Sequence, residues 1–111
     1  MKIIVKKVGS NPELREIDKL ELSDMQALVG GLIQPIYLND NIICWCNDEG
    51  KLLNMSPNII LADKRSFTIC DIVHGDIFFT NSIEGKESLS DSQIYRLMKT
   101  LSNSRIPAIF I

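Results

Sequence analysis

Three side chains of this 111-residue chain are of the types that acid-base chemistry uses: Glu49, Asp71 and His74, the last being the single histidine. Two carboxylates beside an imidazole could activate water against a nucleotide-like substrate, provided that folding brings all three within hydrogen-bond reach. Their spacing does not ensure this, and the chain has neither a Gly-x-Ser-x-Gly elbow nor a glycine-rich phosphate loop. Asp71 and Asp76 flank His74 and could join it around a metal ion, but side chains so placed about a turn diverge, and solvated acids at strand ends are expected instead. Cys44-Trp45-Cys46 puts two sulfurs on one side of a strand with no second Cys or His pair to complete a metal or redox site, so core packing is expected. Asn39-Asp40-Asn41 and Asn47-Asp48-Glu49-Gly50 offer oxygen ligands without the twelve-residue spacing of a calcium loop, and read as turns. The sequence therefore assigns no catalytic residue, no metal and no cofactor.

A binding site asks less of a chain. Trp45, Phe78, Phe79 and Tyr37 supply aromatic faces, and Arg65, Arg96 and Arg105 are candidate guanidinium clamps for an anion. The candidate ligand-binding set is Asn47, Lys51, Asn58 and Arg65. Lys2, Lys6, Lys7 and Arg15 make a mildly basic face on the first hairpin, expected to be solvated.

Hydrophobic residues make up 45% and charged residues 23% of the chain, enough apolar material for one core and too much for disorder. One domain is expected over 1–111, since no Pro, Gly or Ser-rich segment divides it. Twelve basic against 14 acidic residues, with no basic block, disfavour general nucleic-acid binding. The acidic excess is equally too small for a DNA mimic. The apolar run near the N-terminus stops at Lys6-Lys7, short of a signal peptide or a membrane span, and a cytoplasmic protein is expected. Three cysteines without Cys-x-x-Cys spacing suit reduced thiols better than a disulfide framework.

The elements that must position these residues follow from local patterns. Residues 2–8 and 14–18 read as a hairpin around Gly9-Ser10-Asn11-Pro12. Ser23 and Gln26 have capping-box spacing for a short helix near residue 25, which Gly30-Gly31 ends. Residues 32–38 form a strand that Pro35 restricts to an edge or a bulge, and residues 42–46, apolar on both faces, form a central strand. Gly50 is expected to supply positive φ in the next turn, with residues 51–53 returning as a third strand of a meander. Residues 59–62 are a helical turn or a strand, 67–73 and 76–80 a strand, turn and strand, and 81–87 a surface loop. Ser90 and Gln93 repeat the capping spacing, and Ile94, Leu97, Met98 and Leu101 follow at helical intervals. The apolar tail, residues 106–111, should add a strand or cover a partner subunit. The class is α+β: a small, mostly antiparallel sheet of hairpins with a short helix near 25 and a longer one near 95.

The segments LSDMQALVGGLIQPIYL, NDEGK followed by LLNMSPN, and DIVHGDIFF together resemble domain-of-unknown-function family 3846, which is found in bacteriophages, plasmids and Gram-positive bacteria. The likeness covers most of residues 1–81 and rests on Gln26, Gly30, Gly31, Asn47, Glu49, Gly50, Lys51, Pro57, Asn58, Asp71 and Gly75; residues 82–111 lie outside it. Gln34, Asn54 and His74 depart from the acidic, glycine and aliphatic residues usual there. The resemblance specifies fold and genomic setting better than activity; with the missing catalytic constellation and the compact size, that setting leads to the expectation of a non-enzymatic binding protein of phage or mobile-element type. It would engage a host component and inhibit a bacterial defence system, by binding a protein or by sequestering a nucleotide-like signal. The alternative is a small hydrolase of a nucleotide-like substrate acting through Glu49, Asp71 and His74. An apolar tail and an edge strand also point to a homodimer or higher homo-oligomer, and no membrane partner is expected.

Overall fold

The computed structural model describes residues 1–83 and 87–111, so the middle of the expected 81–87 loop lies outside the described residues. Two sheets carry the fold. The first hairpin forms as its pattern requires, β1 (Lys2–Lys6) pairing antiparallel with β2 (Glu13–Glu16). Helix α1 (Leu22–Val29) follows, and Gly30, with φ 77°, ends it in the left-handed conformation that glycine adopts without a Cβ penalty. Its start lies two residues before the expected cap: the Glu21 amide donates to the Asp24 carboxylate at 3.0 Å, so Glu21 and Asp24, not Ser23 and Gln26, form the box.

Strands β3 (Ile33–Tyr37) and β4 (Ile42–Asn47) form the next hairpin, with Asp40 and Asn41 both at positive φ in the turn. β3 is an edge strand, as Pro35 demands, and β4 is central. Residues 51–53 do not return as a strand. They wind into a tight turn in which the Leu53 amide donates to the Glu49 carbonyl at 2.9 Å, and the place beside β4 belongs to a later strand. The chain crosses instead into a second sheet with β5 (Pro57–Ala62) and β6 (Ile69–His74), which settles residues 59–62 as strand. At Gly75 the chain returns to the first sheet as β7 (Ile77–Asn81), which pairs with β1 and β4 and not with β6. The apolar run, turn and apolar run around His74 are thus a switch between sheets, not a hairpin. Helix α2 (Asp91–Leu101) carries the expected Ser90–Gln93 capping box, and the tail adds β8 (Ala108–Phe110) parallel to β5 within the same chain.

The large sheet runs β2-β1-β7-β4-β3 and the small one β6-β5-β8. Alternation on the strands sorts the core into two clusters. Ile3, Val5, Phe78 and Trp45 face α1, through Met25, Leu28 and Val29. Ile4, Cys44, Cys46, Ile77 and Phe79 face the other way, toward Ile59, Leu61 and Val73 of the small sheet and Leu97 and Leu101 of α2. The result is three layers: helix, large sheet, then small sheet with α2. Lys6 shares the second face and is fully buried, contrary to the solvated basic face expected of the first hairpin. Among the described residues, no helix is long and apolar enough to cross a membrane.

Candidate functional site

The crossing from β4 to β5 builds a cleft. It opens where the end of β4 and the edge strand β3 meet β6, and has a volume of about 280 Å³. Asn47, Glu49, Lys51, Asp71 and His74 line it together with Gln34 and Cys46. Folding therefore brings together residues 47–51 and 71–74, whose spacing in sequence gave no reason to join them.

Each side chain has a definable state. Asn47 is buried and serves the backbone: its Nδ2 donates to the Val29 carbonyl at 3.2 Å and its Oδ1 accepts from the Glu49 amide at 2.8 Å. It shapes the turn and fastens it to the end of α1. Lys51 Nζ donates to Asp71 Oδ1 at 2.6 Å, and that hydrogen bond, with help from the Ile72 amide, holds the Asp71 carboxyl below its ordinary range. His74 Nδ1 lies 2.7 Å from the Met55 carbonyl oxygen. A carbonyl only accepts, so Nδ1 carries the hydrogen and, in the neutral ring, Nε2 keeps the free lone pair. Gly50 does not have the positive φ expected of it; a Cβ there would lie 2.8 Å from the His74 carbonyl oxygen, so this glycine lets the turn pack directly on β6.

Electrostatically the cleft is acidic. Asp48, Glu49 and Asp71 line it against the single ammonium of Lys51. Burial, then the carboxylates of Asp71 and Asp48, push the Cys46 thiol up to about 11, so it is no nucleophile at neutral pH. Complete burial likewise pushes the Cys44 thiol well above its ordinary value. Among the described residues, no three His, Cys, Asp or Glu side chains converge to hold a metal ion.

Two of the four sequence-derived ligand residues lie elsewhere. Asn58 is fully buried: Oδ1 accepts from Lys6 Nζ at 2.7 Å, and Nδ2 donates to the carbonyls of Lys6 and Gly75, both at 2.8 Å. That side chain has nothing left for a ligand. Arg65 sits in the β5–β6 turn, where its amide donates to Asp63 Oδ1, and it does not line the cleft. Of the aromatic faces, Phe78 and Phe79 are core, stacked Trp45 is half-buried against Phe78, and Tyr37 is exposed. The residues that sequence reasoning missed are Leu52 and Leu53, on the rim turn, 81% and 56% exposed. Their apolar character reads as strand, and nothing in the sequence marks them as exposed.

The pattern of the family described as Domain of unknown function (DUF3846) matches residues 1–102. The chain belongs to this family. The match continues through α2, beyond the 1–81 over which the motifs of the resemblance were found, so the helix that closes the second core cluster belongs to the family pattern as well. No curated relative and no solved structure matches the chain.

Proposed function

We propose that this protein is a non-enzymatic binding module that engages a protein partner through the β4–β5 cleft. The observation that carries the reading is an acidic cleft lined by the uncovered Leu52, with Leu53 exposed beside it in the same turn. Three carboxylates against one ammonium repel an anionic nucleotide and favour a Lys or Arg side chain, while Leu52 and Leu53 supply apolar area for the surrounding contact. Of the two ligand classes expected from the sequence, the cleft thus suits the protein better than the nucleotide-like signal. The phage and mobile-element setting of the resemblance supports a host component in the bacterial cytoplasm as the partner, and inhibition of a defence system as the consequence.

The test is capture from bacterial host lysate with wild type, Leu52→Asp and Asp48→Lys/Glu49→Lys, read by mass spectrometry. A protein retained by wild type and lost from both variants is expected. Retention unaffected by either variant, or no specific protein with any of them, overturns the reading.

A second reading has its own observation. In its neutral form His74 keeps a lone pair on Nε2, and it lines a cleft that also holds Glu49 and Asp71, the three residues of the hydrolase alternative. Turnover of a nucleotide or phosphodiester that His74→Gln abolishes would favour it over the binding module.

Self-association fits the binding reading. Ile60, Ile72 and Ala108 are half-buried register partners outside the core cluster of the small sheet, with exposed Cys70 and Phe110 beside them. A second copy presents the same apolar face in return.

A further inference from the structure

The groove between α2 and β8 lies apart from the cleft and is larger, with a volume of about 410 Å³. Ligand sites commonly start at about 300 Å³ and combine an apolar floor with a few polar groups. Leu38, Ile42, Leu97 and Ile109 supply such a floor. Arg96 and Lys99 stand along one rim, and Tyr95, 67% exposed, and Phe110 supply aromatic faces.

We propose that this groove is a second binding site, for a planar aromatic ligand that carries one anionic group. Charge decides the sign of the ligand. Two cations line the groove against the single carboxylate of Asp40, which is paired with Arg96. Lys99 has no carboxylate partner among the described residues; its ammonium lies 5.8 Å from the centroid of the Tyr95 ring. Lys99 also stands in the last turn of α2, where it complements the helix dipole, but that role leaves its hydrogen-bond donors free. The apolar floor decides the rest: a bare oxyanion would leave Leu38 and Ile109 uncovered, whereas a flat ring covers them and can lie against Tyr95 or Phe110.

The walls are held in place before any ligand arrives. Gln93 Nε2 donates to the carbonyls of Asp40 at 2.8 Å and Asn41 at 3.2 Å, tying the β3–β4 turn to α2. The Ile60 amide donates to the Pro107 carbonyl at 2.9 Å, and the Ile111 amide to that of Ala62 at 2.8 Å, fixing β8 at both ends. Asp40 is then a built-in competitor, since its carboxylate occupies the guanidinium that an incoming anion would use.

The experiment is titration of the ¹⁵N-labelled protein with adenosine 5′-monophosphate, adenosine and inorganic phosphate, followed by amide chemical shifts. Saturable shifts at Leu38, Arg96, Lys99 and Phe110 are expected with the monophosphate, and several-fold weaker binding of the other two. Lys99→Gln should weaken the monophosphate several-fold. Asp40→Asn, which keeps a residue tolerant of positive φ in the turn, should tighten it several-fold. Absence of saturation at millimolar monophosphate, shifts centred on Lys51 and Asp71, adenosine binding as tightly as its monophosphate, or either variant leaving the affinity unchanged would each overturn the proposal.

Discussion

The ammonium of Lys6 on β1 donates to Asn58 Oδ1 on β5 at 2.7 Å, a bond between the two sheets made where both side chains are fully buried. Lys6 Nζ has a second acceptor in the Arg105 carbonyl at 3.3 Å, and Asn58 returns a bond to the Lys6 carbonyl. Asn58→Leu should therefore destabilise the protein by about 3 kcal/mol, because it leaves an interior ammonium short of its best acceptor and two carbonyls without a donor. Lys6→Met should cost less: it takes the donor from Asn58 Oδ1 and from the Arg105 carbonyl, but it leaves no interior charge and fills the space with apolar atoms. Urea unfolding of both variants checks the order; equal costs would mean that the charge is not what the pair holds.

Burial also sets a pH signature. Desolvation lowers the Lys6 pKa below its ordinary value, only partly offset by the Asp76 carboxylate. The unfolded chain then binds the proton more tightly than the folded one, so stability rises with pH between the lowered folded value and about 10.4 in the unfolded chain. Below that window both states are protonated and the full desolvation penalty stands. The stability of wild type relative to Lys6→Met should thus increase as pH rises from neutrality toward 10. Paired unfolding curves at several alkaline pH values measure it, and a constant difference would refute the shift.

The local elements were legible and the long-range ones were not. Ser90, Gln93 and the Ile94–Leu101 periodicity specify α2 within a dozen residues, and Gly30 specifies the end of α1 by its own backbone. Lys6 looked solvated because its acceptor lies 52 residues away, on a strand whose type four apolar residues could not decide. The return of β7 beside β1 and β4 displaced the expected 51–53 strand for the same reason: strand pairing is chosen by burial across the whole sheet, not by the run itself. At the cleft, Asn47, Lys51, Glu49, Asp71 and His74 all carry side chains of the expected types, but their meeting depends on the crossing between sheets, which no spacing in the sequence announces. Asn58 was misjudged because a buried amide and a ligand-binding amide look alike in sequence.

Lys51 and Asp71 form a close pair on an exposed rim, and the consequence is larger for titration than for stability. Lys51→Met should change the unfolding free energy by less than about 1 kcal/mol, as solvent and salt screen such pairs. It should raise the Asp71 pKa back toward the ordinary value, visible by carboxyl NMR. Because the folded value is lowered, the pair's contribution is present above the unfolded value of about 3.9 and is lost as pH falls through the folded one. A titration curve of Asp71 indifferent to Lys51 would remove the ammonium as its cause.

The three thiols should separate cleanly. Cys70 is exposed on β6, while Cys44 and Cys46 are buried in the core between the sheets. Alkylation of the native protein with iodoacetamide at neutral pH should label Cys70 alone, and denaturation should open all three. With its thiol pushed up to about 11, Cys46 has almost no thiolate at neutral pH. Rapid native labelling at Cys46 would show that the cleft reaches deeper into the core than the packing allows.

Gly50 gives the sharpest test of the cleft's architecture. Its Cα faces the His74 carbonyl so closely that an added methyl would sit 2.8 Å from that oxygen, and neither side can yield freely. The Met55 amide donates to the Gly50 carbonyl at 3.0 Å, and His74 is held in register with Pro57. Gly50→Ala must therefore push the turn off β6, at a cost of roughly 1–3 kcal/mol, comparable to overpacking a core. Moving the turn also moves Met55, whose carbonyl accepts from His74 Nδ1, so the imidazole resonances should shift in the same variant. Leu52→Ala, on the exposed part of that turn, should change stability by less than about 0.5 kcal/mol and leave those resonances in place. Thermal unfolding and the histidine NMR signals measured together decide the matter: a Gly50→Ala protein of wild-type stability with unmoved imidazole signals would mean that turn and strand do not pack as described.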